Sequence, residues 1–260
     1  MQLDSNRRLR ALAVALGAAA LLTGTSAQAK SAARARVHAH AGLQLLFVTG
    51  VHRDVAGSQY GVGGAALLEF GARAGRVGIV LEGIPPVSIP QRASAYYGQA
   101  TPAVGIFNGA VRFAVDRNRH LWFGAGTTVI NQRTPLPNIS QVASSRLAGA
   151  RYELAYEQPL ASSTRQVRAA RFVEVLIGAA PRLFGADRFL YSNGSPAVNK
   201  DERAAEVDAT LAYGIRYRES ELLAGIRTID FSAQFTRTGE EADRNNGAGL
   251  MLEWRRLIGP

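Results

Sequence analysis

YGVGGAALLEFGARAGRVGIVLEG, residues 60–83, reads as a β-hairpin. Its first arm alternates Tyr60, Val62, Gly64, Ala66, Leu68 and Phe70 against Gly61, Gly63, Ala65, Leu67 and Glu69. Its second alternates Val77, Ile79 and Leu81 against Gly78, Val80 and Glu82, after a turn at 72–75. Successive side chains of a strand point to opposite faces, so one face is apolar and the other holds glycine, alanine and carboxylates. A soluble sandwich strand would solvate its second face with polar groups, whereas this one leaves room. The pattern predicts a barrel with lipid outside and a narrow polar lumen inside.

The same alternation runs to the end of the 260 residues without a linker, which predicts one domain at 30–260 after a targeting segment at 1–29. Arg7, Arg8 and Arg10 form a positive start, Leu9–Leu22 an apolar run, and Ala27, Gln28 and Ala29 a cleavage site of signal-peptide type. The run is shorter than the ~20 residues of a spanning helix. There is no cysteine, which excludes a disulfide framework, thiolate catalysis and Cys-ligated metal. The net charge is +10, and removing three arginines and Asp4 with the leader leaves +8. Nearly all of it is arginine, since only Lys30 and Lys200 are lysines. Scattered singly along strands and turns, these arginines do not form a nucleic-acid face; they suit carboxylates and lipid phosphates.

Ten strands follow in order: 38–51, the two arms of the hairpin, 101–115, 120–131, 144–157, 165–180, 204–218, 221–235 and 247–258. The odd-numbered connections, 52–58, 84–100, 132–143, 181–203 and 236–246, read as loops, and the even-numbered ones as tight turns. Prolines 85, 86, 90, 135 and 137 lack ladder donors and support the loop assignments.

Every second connection of an up-and-down barrel lies on the same rim, so one rim collects turns and the other loops. The arrangement resembles the bacterial outer-membrane β-barrel proteins, with short periplasmic turns and long extracellular loops. The resemblance covers the whole mature chain and implies an all-β, single antiparallel transmembrane barrel in the cell outer membrane of a Gram-negative envelope. It implies outer-membrane lipid, lipopolysaccharide and the barrel-assembly machinery as partners; the sequence leaves the oligomeric state open, with a monomer favoured. The last strand, with Leu250, Leu252 and Trp254, is similar to that family's terminal assembly signal, but the chain ends Leu257, Ile258, Gly259, Pro260 without an aromatic.

Inward parity falls on Glu69, Glu82, Arg112, Arg151, Glu153, Glu174, Asp208, Arg216, Arg227, Glu253 and Arg255. A barrel of this size encloses little beyond its own side chains, and unpaired charge there is costly. Mixed signs favour a salt-bridged plug over a selective pore, where one sign forms a ring. Outward parity places Tyr60, Phe70, Phe113, Tyr156, Tyr213, Tyr217 and Trp254 as interfacial aromatics.

Candidate chemistry is sparse. His38 and His40 share a face as two metal ligands could, but no third ligand is in sequence reach, so no metal or cofactor is expected. His120 opens a strand after a turn. His52 and Asp54, with Asp230, could meet at the loop rim, where the ten-stranded omptin proteases activate water with acidic residues and a histidine; no omptin motif is present. Tyr191, Ser192 and Asn193 resemble the His-x-Ser-Asn segment of lipid A deacylases, where serine is the nucleophile and histidine its base. Here Leu190 stands in the histidine's place, leaving Ser192 without that base. The sequence therefore predicts a non-enzymatic, porin-like barrel with a nearly closed lumen, in a structural or surface role or passing small polar solutes slowly. A lipid-modifying hydrolase or rim protease is the alternative.

Overall fold

The structure, a computed structural model, describes residues 37–54, 57–88, 103–136, 141–160, 169–191, 198–239 and 241–258. The segment 1–29 and Ser192 lie outside them, and of His52, Asp54 and Tyr60 the backbone alone is described. The strands are β1 Val37–Asp54, β2 Gly57–Ala74, β3 Val77–Ser88, β4 Ala103–Ala114 and β5 Leu121–Leu136. They continue as β6 Gln141–Leu160, β7 Ala170–Tyr191, β8 Val198–Tyr217, β9 Ser220–Phe235 and β10 Glu241–Ile258. All pair antiparallel with their sequence neighbours, and β1 pairs with β10, so the sheet is a closed barrel. Among the described residues no helix is long and apolar enough to cross a membrane.

The faces follow the period of two. Leu43, Leu45 and Phe47 are exposed while Gly42, Gln44 and Leu46 are buried; on β8 Val207, Leu211, Tyr213 and Ile215 are exposed while Glu206, Asp208, Thr210 and Ala212 are buried. Large apolar side chains thus cover the outside and charged ones fill the inside, the reverse of a water-soluble domain.

Strand ends differ from the expectation. The loops at 52–58, 132–143, 181–203 and 236–246 are largely strand: β1 runs to Asp54, β5 to Leu136, β7 to Tyr191, and β10 begins at Glu241. At 132–143 and 181–203 the prolines explain the difference. Pro135 pairs with Val142 of β6, but the β4–β5 ladder ends at Arg133; Pro159 pairs with Phe172 of β7, but the β5–β6 ladder ends at Tyr156. Pro85 and Pro86 sit in a register shift between Ile84 and Val87, and Pro181 in one between Ala180 and Leu183. Proline is excluded from positions bonded on both sides, not from one-sided or bulged ones. β7 begins at Ala170, and the expected start of the seventh strand, Arg165, lies outside the described residues.

Local chemistry sets the turns. Gly75, between β2 and β3, has φ +62°, where a Cβ would be strained. Before β5, the Asp116 carboxylate accepts the backbone N–H groups of Leu121 at 2.7 Å and Asn118 at 3.2 Å, and the Leu121 N–H above all holds its pKa below the usual carboxylate range.

One seam is short. The β2–β3 ladder spans Leu68↔Gly83 to Ala74↔Val77, so from Gly57 to Leu67 β2 pairs with β1 and from Ile84 to Ser88 β3 pairs with β4. Those β2 amides between Gly61 and Leu67 that point toward β3 are expected to exchange hydrogen at least about 100-fold faster than their counterparts between Leu68 and Ala74. Uniform protection along β2 in amide-exchange mass spectrometry would contradict this.

The register also gives height. A path across the wall from Val129 through Phe107, Gly83, Leu68, Leu43, Trp254, Leu222, Ile215 and Arg171 reaches Leu160, beyond the turn end of β5. A strand spacing of about 4.8 Å and a rise of about 3.3 Å per residue then require a tilt of about 40°, with rows climbing toward the loop rim from β5 to β8.

Candidate functional site: the charged lumen

Two arginines hold the middle of the lumen. Arg227 of β9 reaches across it and donates Nη2 to Glu82 Oε1 at 2.6 Å and Nη1 to Glu82 Oε2 at 2.9 Å; β10, β1 and β2 stand between β9 and β3 along the wall. The same guanidinium donates to Gln44 Oε1 at 3.1 Å and to Asp208 Oδ2 at 3.1 Å. Arg151 of β6 donates Nη2 to the other oxygen of Asp208 at 2.5 Å and Nη1 to Glu206 Oε2 at 3.0 Å. Asp208 therefore ties the two arginines together. Bidentate guanidinium–carboxylate pairing fixes direction as well as charge. Asn108 donates to Glu82 at 3.2 Å and accepts from Thr128 at 2.9 Å.

The chain of bonds continues toward the turn rim. Gln44 donates Nε2 to Glu253 Oε2 at 3.1 Å, and Arg255 donates Nε to Glu253 Oε1 at 2.6 Å. Arg255 also grips Glu174 with two bonds, at 2.7 and 2.9 Å, and lies 3.2 Å from Glu69, whose carboxylate is 2.8 Å from His40 Nε2. Arg112 donates to Glu153 at 2.5 Å; Arg216 donates to Glu221 at 2.5 Å and to Glu157 at 3.1 Å. A cavity of about 110 Å³ near the turn rim is lined by His40, Glu69, Arg112, Glu174, Arg216 and Arg255.

All eleven charged residues given inward parity lie on the lumen face and in this network. Gln44, Glu157 and Glu206 join them, and their inward parity was readable from the same alternation. Glu221 was not, because it opens a strand beside a two-residue turn. Within the network six guanidinium groups, counting Arg73 at 4.0 Å from Glu157, serve nine carboxylates, and Arg151, Arg216, Arg227 and Arg255 are each shared between two or more of them.

Glycine makes room for these long side chains. A Cβ on Gly178 would strike the Arg151 guanidinium and Asp208; one on Gly214 would strike the Phe172 ring; one on Gly124 would strike Glu153. The space left by the lumen-side glycines is therefore filled by neighbouring side chains. On the loop side of Arg151 and Arg227, Ile130, Leu147, Leu183, Ala204 and Phe231 pack into one apolar layer over the charges.

Asp230 lies on the outer face, 53 % exposed and 3.9 Å from Arg244. His52 pairs along the backbone with Gln59 and Asn245, and Asp54 with Gly57 and Asp243. His38 is exposed and His120 half-buried at its turn. Of the aromatics, Phe70, Phe113, Tyr156, Tyr213, Tyr217 and Trp254 are all exposed on the outer face. By the register, Phe70, Phe113, Tyr156, Tyr213 and Trp254 form one band within about 4 Å of height at the turn side, with Tyr217 below it.

No protein-family model matches the chain, and no curated protein matches its sequence. Solved structures do. The outer membrane protease OmpT of Escherichia coli aligns over 89 % of this chain and 100 % of its own, with a TM-score of 0.51 at 7 % identity. The translocator domain of the autotransporter NalP from Neisseria meningitidis covers 95 % of this chain and 97 % of its own, with a TM-score of 0.41 at 10 % identity. The toluene transporter TodX of P. putida covers 88 % and 91 %, with a TM-score of 0.34 at 10 % identity. At these identities the likeness is one of fold. A closed ten-stranded antiparallel wall, apolar outside and charged within, gives this chain the fold of the bacterial outer-membrane β-barrel proteins.

Proposed function

We propose that the chain is an outer-membrane barrel with a shut lumen and a passive, non-catalytic role in envelope integrity or surface contact. The four hydrogen bonds of Arg227 to Glu82, Asp208 and Gln44 carry this reading, because a guanidinium held by three other strands lies fixed across the middle of the lumen. The apolar layer on its loop side supports the same conclusion. Opening such a lumen means breaking charge-assisted bonds in a low-dielectric interior.

On this reading the turns and both termini face the periplasm and the extended β5–β8 wall faces outward. The closing strand β10, with Leu250, Leu252 and Trp254 exposed, is the element offered to the assembly machinery. Proteoliposomes carrying the refolded barrel are expected to swell in arabinose no faster than protein-free liposomes. Swelling that declines with solute size would overturn the reading.

A further inference from the structure

The lumen arginines all have carboxylate partners. Five arginines on the outside of β5–β8 do not: Arg133, Arg146, Arg182, Arg188 and Arg203 are exposed, and none forms an ion pair among the described residues. Elsewhere on the outer face Arg244 lies 3.9 Å from Asp230 and Arg256 2.5 Å from Glu219, whereas Arg171, at the turn end of β7, is exposed with no ion pair among the described residues. What sets the five apart is that they gather in the loop-side half of β5–β8.

Register places the set. Arg133 lies opposite Ser144, which lies opposite Arg188; Arg146 is two residues along β6 from Ser144 and opposite Asn131 and Ala186. With a spacing of about 4.8 Å and a tilt of about 40°, Arg133, Arg146 and Arg203 stand at one height to within about 2 Å, and Arg188 stands about 8 Å above Arg146. That height is roughly 25 Å on the loop side of the aromatic band, the depth of an outward apolar belt in barrels of this kind. Aromatics mark one interface and arginines the other. Between them the wall is mostly apolar or small, with Ala148, Ala150, Phe184 and Val207 exposed below Arg133, Arg146 and Arg188, while Arg182, opposite Ala150, sits lower on β7. Asp201 is the carboxylate in the patch, opposite Ala186 on β8, and it bounds the site on that side.

We propose that Arg133, Arg146 and Arg188 form a docking site for the phosphomonoester headgroup of an outer-leaflet lipid of the lipid A type, with Arg182 and Arg203 flanking it. The site rests on the orientation in the preceding section. The chemistry is that of guanidinium and phosphate: planar, bidentate, permanently charged on the protein side, and strongest at the dry edge of an apolar band. The Ser144 hydroxyl lies between Arg133 and Arg188 as a further donor.

The test uses the full mature barrel in phosphatidylcholine nanodiscs doped with bisphosphorylated lipid A or its dephosphorylated form, with retained lipid counted by native mass spectrometry. The wild type is expected to retain the bisphosphorylated lipid about tenfold or more over the dephosphorylated one, the effect of one charge-assisted hydrogen bond. R133Q/R146Q/R188Q should lose that preference, while R171Q/R218Q at the turn side should keep it. Heat-modifiable migration of each variant in gels confirms folding, and the triple Lys variant should keep part of the preference. Equal retention of both lipids by the wild type, an unchanged preference in the Gln variant, or displacement by millimolar inorganic phosphate would overturn the site. Since none of these outcomes depends on conduction, failure here is distinct from failure of the closed-lumen reading.

Discussion

Arg227→Met lowers the unfolding free energy of the lipid-folded barrel by about 3–5 kcal/mol, the expected loss when one partner of a buried ion pair is removed. The methionine fills much of the volume, so the loss comes from charge rather than cavity. Glu82 loses two strong bonds and keeps only Asn108, and Gln44 loses its acceptor role. Asp208 retains Arg151, so the damage concentrates on Glu82. Adding Glu82→Gln should therefore recover a substantial part of the loss, because the uncompensated charge is gone while Asn108 can still bond the amide. Urea titration of refolding into vesicles reads both variants. A single substitution costing under about 1 kcal/mol, the value of an exposed pair, would mean that water screens this site.

Gly178→Val acts on the same network from the wall. The added Cβ would meet the Arg151 guanidinium and the Asp208 carboxylate, which cannot both stay in place. Overpacking costs about 1–3 kcal/mol by itself, and displacement of a shared buried pair adds to it, so a loss of about 4 kcal/mol is expected. Gly64→Val is the control: it sits on the outer face of β2 with only the Leu46 carbonyl near its Cβ, at 3.8 Å, and should fall within about 0.5 kcal/mol of wild type. Equal losses at the two positions would show that glycine is needed for the strand backbone rather than for the charges it accommodates.

The parts of this architecture that depend on period two were legible from residues alone. Gly61 to Glu69 against Val62 to Phe70 sets the inside and outside of β2, and the same count places Asp208 inside and Val207 outside on β8. What could not be read was where strands stop, because hydropathy fades above the apolar belt while backbone pairing continues. Gln141 to Ser145 and Arg182 to Tyr191 are polar or proline-led, yet they stay in the sheet because a neighbour or a bulge meets their bonding needs. The arginine patch was hidden for the same reason: Arg133, Arg182, Arg188 and Arg203 fell in stretches read as loops, where parity has no meaning. Pairing partners inside the lumen were also beyond the sequence, since Arg227 and Glu82 are 145 positions apart and meet only when the barrel closes.

The central claim is that this lumen is shut by its own charges. Single-channel recording of the refolded mature barrel in a planar bilayer tests it most directly. A silent membrane, with insertion verified by protease protection and heat-modifiable migration, is the expected result, and R151S/R227S should then introduce discrete steps. Discrete, voltage-stable steps from the wild type would contradict the account and make the carboxylate-rich network the lining of a working pore.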